Sequence, residues 1–204
     1  QQEVKMNNGK QMGKTRRMTG LAIFTAIIVV LQVLCTFVRF GPFSITLALA
    51  PIIIGTAIYG KGAGAYLGGV FGLVVLITGI LGWDGGTVML LMSINPVGCV
   101  LICLVKGAAA GFLAGLCYEA IAKKSDKTAV LVSGIVCPVV NTGLFIVGML
   151  VFFFDTLSGW AGGQNMLLYI IMGLTGINFL VELGVNVLLA AGIERIIRAG
   201  RKMR

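Results

Sequence analysis

Histidine is absent from all 204 residues. Its absence removes the most frequent general base and metal ligand, and with them a Ser–His hydrolase centre. Acids are almost as scarce: seven Asp and Glu stand against sixteen Lys and Arg, and charged residues make up only 11% of the chain. A water-soluble domain could not cover itself with so few charges. The five cysteines (Cys35, Cys99, Cys103, Cys117 and Cys137) lie in apolar runs without a C-x-x-C pair. They read as small packing residues, and no metal or haem site is expected. A phosphate loop is missing too. "GKGAG" at 60–64 lacks the G-x-x-x-x-G-K-[ST] spacing, so the chain shows no nucleotide-hydrolysing machinery.

What the chain has in abundance is oil. Hydrophobic residues reach 58%, mean hydropathy is +1.02, and several runs approach or exceed the roughly 18–20 residues that span a bilayer. The sequence predicts an all-α integral membrane protein, a compact bundle of six transmembrane helices at about 19–38, 45–59, 63–81, 96–122, 129–154 and 166–197, with Pro51 expected to kink the second. A basic leader (1–18) precedes the membrane domain (19–197), and a basic tail (198–204) follows it. The leader carries no small-residue cleavage site of a secretory signal. The chain does not open on methionine, so Met6 and Met12 are candidate starts.

Six crossings put both termini on one side. That side holds Lys5, Lys10, Lys14, Arg16, Arg17, Lys61, Lys123, Lys124, Lys127, Arg195, Arg198, Arg201, Lys202 and Arg204, which is 14 of the 16 basic residues. Cytoplasmic loops carry the Lys and Arg excess, so both termini are expected in the cytoplasm of a cell-membrane protein. The net charge of +9 is then a signal of topology and of anionic lipid, not of nucleic acid. The outer loops (39–44, 82–95 and 155–164) set Trp83 and Trp160 among glycines, as interfacial anchors or as part of a lid. Small residues recur four apart at Gly64, Gly68 and Gly72, and again at Gly107, Gly111 and Gly115, a pattern that lets membrane helices approach closely.

The few polar side chains inside the spans carry the functional signal. Ionisable and amide groups are expensive in hydrocarbon, so they face the bundle interior. "GINFLVELGVNVLL" (176–189) spaces Asn178, Glu182 and Asn186 four apart, within an arc of about 80° on a helix. Lys106 lies ten residues into the fourth helix, and Asn141 follows Pro138 in "CPVVNTGLF", where a distorted helix is expected. The stripe is expected to form one wall of a hydrated cavity, with Lys106 and Asn141 opposite. Arg39 and Asn95 stand nearer the outer ends. Two bland readings compete: a structural Lys106–Glu182 ion pair, and amides that merely cross-link helices at about 1 kcal/mol each.

Taken together, the basic leader with "GLAIFTA", the stretch "ITLALAPIIIGTAIYGKGAGAYLGGVFGL", "CPVVNTGLF" and "NFLVELGVNVLL" resemble the substrate-binding S-components of energy-coupling factor (ECF) vitamin transporters. The last two look most like the pantothenate-type and folate-type branches, and the riboflavin-type pattern of a Lys and an Asp near the first outer loop is not apparent. The resemblance implies capture of a scarce water-soluble vitamin from outside. It also implies docking on a transmembrane coupling subunit that carries two ATPases, followed by toppling in the membrane to release substrate inside. The family's alanine-x-x-x-alanine docking face maps onto Ala22 and Ala26. Pantothenate is the first ligand candidate; folate, riboflavin or another vitamin are the alternatives. Lys106 or Arg39 would neutralise its acid, Asn141, Asn178 and Asn186 would bond its hydroxyls and amide, and Glu182 would orient it. A self-contained proton-coupled carrier using Glu182 is the competing class, although no inverted repeat supports it. An enzyme is not expected.

Overall fold

The computed structural model describes residues 2–37, 39–40, 43–44, 46–170, 176, 179–188 and 192, with side chains from residue 13 onward apart from those of 39–44 and 167. The chain opens on α1 (Gln2–Thr36), a single helix of 35 residues. The expected leader is therefore helical and continuous with the first apolar run, whose spanning part is Gly13–Thr36. Helix formers (Gln, Glu, Lys, Met and Arg) fill most of that leader, so nothing but Gly9 and Gly13 opposes propagation.

The all-α expectation holds for the membrane bundle, and one short hairpin accompanies it. Two short strands, β1 (Arg39–Phe40) and β2 (Phe43–Ser44), pair antiparallel with Arg39 opposite Ser44 and Phe40 opposite Phe43. Gly41 and Pro42 separate the two aromatics in sequence, a pairing of turn residues with β-formers that favours a hairpin. Next comes α2 (Leu49–Tyr59), buried over ten of its eleven residues. At roughly 16 Å it is enclosed by its neighbours rather than set against lipid. Pro51 lies in its first turn, where a missing N–H breaks no helical hydrogen bond, so the expected kink has no cause. Gly60, with φ +90°, separates α2 from α3 (Lys61–Ile80).

Two outer segments read from sequence as loops contain helices. α4 (Thr87–Ile94) starts where the Asp84 carboxylate accepts from the backbone N–H of Gly86 at 3.0 Å and of Val88 at 2.9 Å. α5 (Pro96–Ile121) begins with Asn95 as N-cap and proline in its first turn, a sound start on both counts. α6 (Asp126–Phe152) is capped by Ser125 and runs unbroken through Pro138, so the expected distortion does not interrupt the helix. α7 (Phe154–Ala161) fills much of the third outer segment, and α8 (Met166–Leu168) is a single turn. A further helical stretch covers Phe179–Leu188.

Among the described residues, four helical stretches are long and apolar enough to cross a membrane: Gly13–Thr36, Lys61–Ile80, Pro96–Ile121 and Asp126–Phe152. The shorter apolar segments Leu49–Tyr59 and Phe179–Leu188 fall where the other two crossings were expected.

The central contact joins α3 to α5. A Cβ on Gly64 would strike the carbonyl of Gly111, one on Gly68 the carbonyl of Gly107, and one on Gly72 the carbonyl of Cys103. The two helices thus touch backbone to backbone along three turns in an antiparallel register. Apolar side chains gather in two clusters. One, around Leu49, Ile52, Leu67, Phe71, Ala110 and Cys137, encloses α2. The other, around Leu76, Val88, Cys99, Ile102, Met149 and Phe153, lies toward α4.

Gly68→Ala should therefore destabilise the protein by about 1–3 kcal/mol through overpacking. Gly69→Ala, with open space at its Cβ, should leave stability within about 0.5 kcal/mol. Thermal unfolding of the two variants in detergent checks the contrast.

Candidate functional site

Both long central helices pass from one apolar cluster into the other, and polar residues occupy the crossing point. On α5, Ile102 and Cys103 belong to the cluster toward α4 and Ala110 and Ala114 to the cluster around α2, with Lys106 between them. On α6, Cys137 belongs to the cluster around α2 and Met149 to the cluster toward α4, with Asn141 between them. Lys106 is ten residues after Pro96, about 15 Å along α5.

Asn141, Glu182 and Asn186 are all buried, at 6%, 5% and 3% exposure. The segment carrying Glu182 and Asn186 runs antiparallel to α6. Gly134 of α6 faces the backbone and Cβ of Asn186, and Cys137 lies within reach of the Glu182 charge. Gly134, Cys137, Asn141 and Phe145 fall within an arc of about 80° on α6. That face meets the Glu182 segment, and Phe145 turns its ring to Lys106, whose Nζ stands 5.1 Å from the ring centroid. Lys106 is also near enough to act on Glu182 electrostatically, while Thr46 meets the Glu182 carboxyl with its hydroxyl and its backbone amide.

Lys106 and Glu182 do not form an ion pair. Among the described residues, Lys61–Glu119 is the one salt bridge, at 3.5 Å. Nor are the polar atoms at this level all satisfied: Glu182 Oε2 and Asn141 Oδ1 are buried without a hydrogen-bond partner. The structural ion pair read as one alternative from sequence is thus absent. Lys106 and Glu182 instead stand within electrostatic reach of each other without a salt bridge.

Of the residues expected at the site, Lys106, Glu182 and Asn186 are joined by these contacts, and Asn141 shares their face of α6. Asn95 does something else. Its side chain accepts from the Gly98 N–H at 2.9 Å and caps α5. Asn178 lies outside the described residues. Arg39 is described only as backbone of β1. Sequence reasoning missed Thr46 and Phe145. Phe145 was within reach, being one turn after Asn141 in the same motif; Thr46 precedes α2 and carried no periodic signal.

A separate cavity of about 450 Å³ opens where α2 and α5 end, lined by Thr56, Gly60, Tyr118, Glu119 and Lys123 among others. None of the expected site residues lines it. Among the described residues no cluster of His, Cys, Asp or Glu could hold a metal ion.

The architecture defines a helical membrane protein with a polar level buried between two apolar cores. The chain matches the family of ECF transporter substrate-specific components over residues 16–194 and belongs to it. No curated protein matches it in sequence. It is a membrane-embedded transporter component and not an enzyme, and its family implies both a substrate and an ECF coupling complex.

Because Asn95 is a cap, Asn95→Ala should lower stability by about 1 kcal/mol, and Asn95→Ser should keep most of it. Chemical or thermal unfolding reads the difference; equal losses in both variants would exclude a capping role.

Proposed function

We propose that this chain is the vitamin-capture subunit of an ECF-type importer, with pantothenate as the first candidate ligand. The observation that carries the reading is the polar level of buried Asn141, Glu182 and Asn186 with half-buried Lys106 in a chain that belongs to a substrate-specific family. Pantothenate brings one carboxylate, two hydroxyls and an amide. Lys106 neutralises the acid, with Arg39 as the second cation on the outer side. Asn141, Asn178 and Asn186 bond the hydroxyls and amide, and Glu182 orients the ligand by accepting a hydrogen bond. Folate, riboflavin or another small vitamin are the alternatives within the same reading.

The chain crosses the membrane six times with both termini in the cytoplasm, a topology supported by the one-sided placement of 14 basic residues. Substrate enters from the opposite side, where α4, α7 and the β1–β2 hairpin lie. Release inside needs a transmembrane coupling subunit with two ATPases, because this sequence carries no phosphate loop. Ala22 and Ala26 of α1 form the docking face. Both are exposed, and α1 is the least buried of the four long spans, which leaves its small-residue ridge open to a partner helix.

Binding of pantothenate to the purified protein, followed by calorimetry, tests the ligand. Asn141→Leu should weaken affinity at least about tenfold, roughly 1.4 kcal/mol. In cells with a complete coupling module, replacing Ala22 and Ala26 by Trp should abolish ATP-driven uptake and spare binding to the isolated subunit. Loss of binding in that variant would make the two alanines packing residues. Uptake driven by a proton gradient in liposomes holding this chain alone would transfer the function to a self-contained carrier.

A further inference from the structure

The cavity of about 450 Å³ between the ends of α2 and α5 lies apart from the substrate level. Small-molecule sites occupy roughly 300–1,000 Å³, so it has room for a guest. Its lining carries both signs of charge. The last turn of α2 forms one wall and the end of α5, from Tyr118 to Lys123, the other. Helix C-termini present partial negative charge, and two of them meet here. Glu119 adds a carboxylate, but it is turned toward α3, where it accepts from the Lys61 backbone N–H at 3.1 Å and pairs with the Lys61 ammonium at 3.5 Å. Lys123, four residues on, is left without an acid, because Lys61–Glu119 is the one salt bridge among the described residues. Thr56, at 2% exposure, lines the same cavity, and its hydroxyl oxygen is buried without a hydrogen-bond partner.

Continuity with an apolar face makes the occupant a lipid. Leu101, Val105, Phe112 and Glu119 fall within an arc of about 40° on α5, and the three apolar members are each more than a third exposed. That stripe follows the span Pro96–Ile121 and ends at Glu119, which lines the cavity. Lys61, Lys123, Lys124 and Lys127 gather at the same end of the bundle, a placement that attracts phosphate at a membrane surface. We infer that the cavity seats the headgroup of a phosphodiester lipid whose head alcohol carries hydrogen-bond donors. The phosphate meets the Lys123 ammonium, the donors meet Glu119 and the carbonyl ends of α2 and α5, and an acyl chain lies along the stripe from Phe112 to Leu101. Glu119 has capacity beyond Lys61, since a carboxylate offers about four lone-pair sites. Phosphatidylglycerol and phosphatidylethanolamine have this chemistry. Phosphatidylcholine, whose quaternary ammonium has no N–H, lacks it.

Native mass spectrometry of the detergent-purified protein, titrated separately with these three lipids, tests the site. Wild-type protein should hold one phosphatidylglycerol or phosphatidylethanolamine about tenfold more tightly than phosphatidylcholine. Lys123→Met should erase that preference. Ala122→Phe, which fills the cavity without removing a charge, should erase it too; if that variant fails to fold, Lys123→Met decides alone. Lys124→Met is the control, because Lys124 is exposed and does not line the cavity; retention should change by less than about twofold there, as for any screened surface charge. Equal retention of the three lipids by wild-type protein, or retention of none, overturns the inference. So does unchanged preference in Lys123→Met, or an equal loss in Lys123→Met and Lys124→Met, which would assign the lipid to the surface charge as a whole. The inference does not rest on the substrate reading, and its failure leaves vitamin capture standing.

Discussion

Where Gly68 of α3 meets Gly107 of α5, no side chain separates the helices, and each backbone rests on the other's carbonyls. The same contact repeats one turn away on either side, at Gly64 with Gly111 and at Gly72 with Cys103. In lipid there is little hydrophobic drive for helices to associate, so such close van der Waals contact supplies much of the force. It also fixes register. Lys106 adjoins Gly107, so the contact that locks α5 to α3 sets the height at which that ammonium stands. A slip of one turn would carry the cation about 5.4 Å along the axis, into one of the apolar clusters.

Height matters because the interior is layered. An apolar cluster lies on each side of the level of Lys106, Asn141 and Glu182. Apolar surroundings make a charge between them expensive and strengthen any polar contact made there. The family implies a substrate and an ECF coupling complex beside this chain.

Much of this was legible in the residues. Glycines four apart predicted close helix approach without naming the α3–α5 pairing, and the Glu182 stripe predicted an inward face because carboxylates avoid lipid. The Asp84-Gly-Gly-Thr87 sequence carries the start signal of α4, but eight residues are too few for periodicity to speak. α7 is hidden for the same reason, and the β1–β2 hairpin is shorter still. The helical leader is hidden because a run of charge marks only the edge of the membrane. Charge ends a hydrocarbon span, but it does not end a helix, whose backbone bonds are indifferent to the solvent around them. Separation of Lys106 from Glu182 could not be read at all, since it depends on Thr46 and Phe145 arriving from other elements.

Exposed and buried polar groups are handled differently in this chain. At the end where α2 and α5 stop, Glu119 accepts from the Lys61 backbone N–H at 3.1 Å and pairs with its ammonium at 3.5 Å. The Tyr118 hydroxyl donates to Asp126 at 3.1 Å, and Arg17 donates to the Tyr59 carbonyl at 3.2 Å. These bonds tie α1, α2, α3, α5 and α6 together within the chain, and the pairs that face water are individually worth little. At mid-depth the balance is reversed. Water is excluded, each charge is worth more, and yet the chain leaves Glu182 Oε2 and Asn141 Oδ1 open. Buried polar atoms without a partner also occur at Thr25, Gln32 and Thr56, so an open acceptor singles out this level only because Lys106 stands beside it.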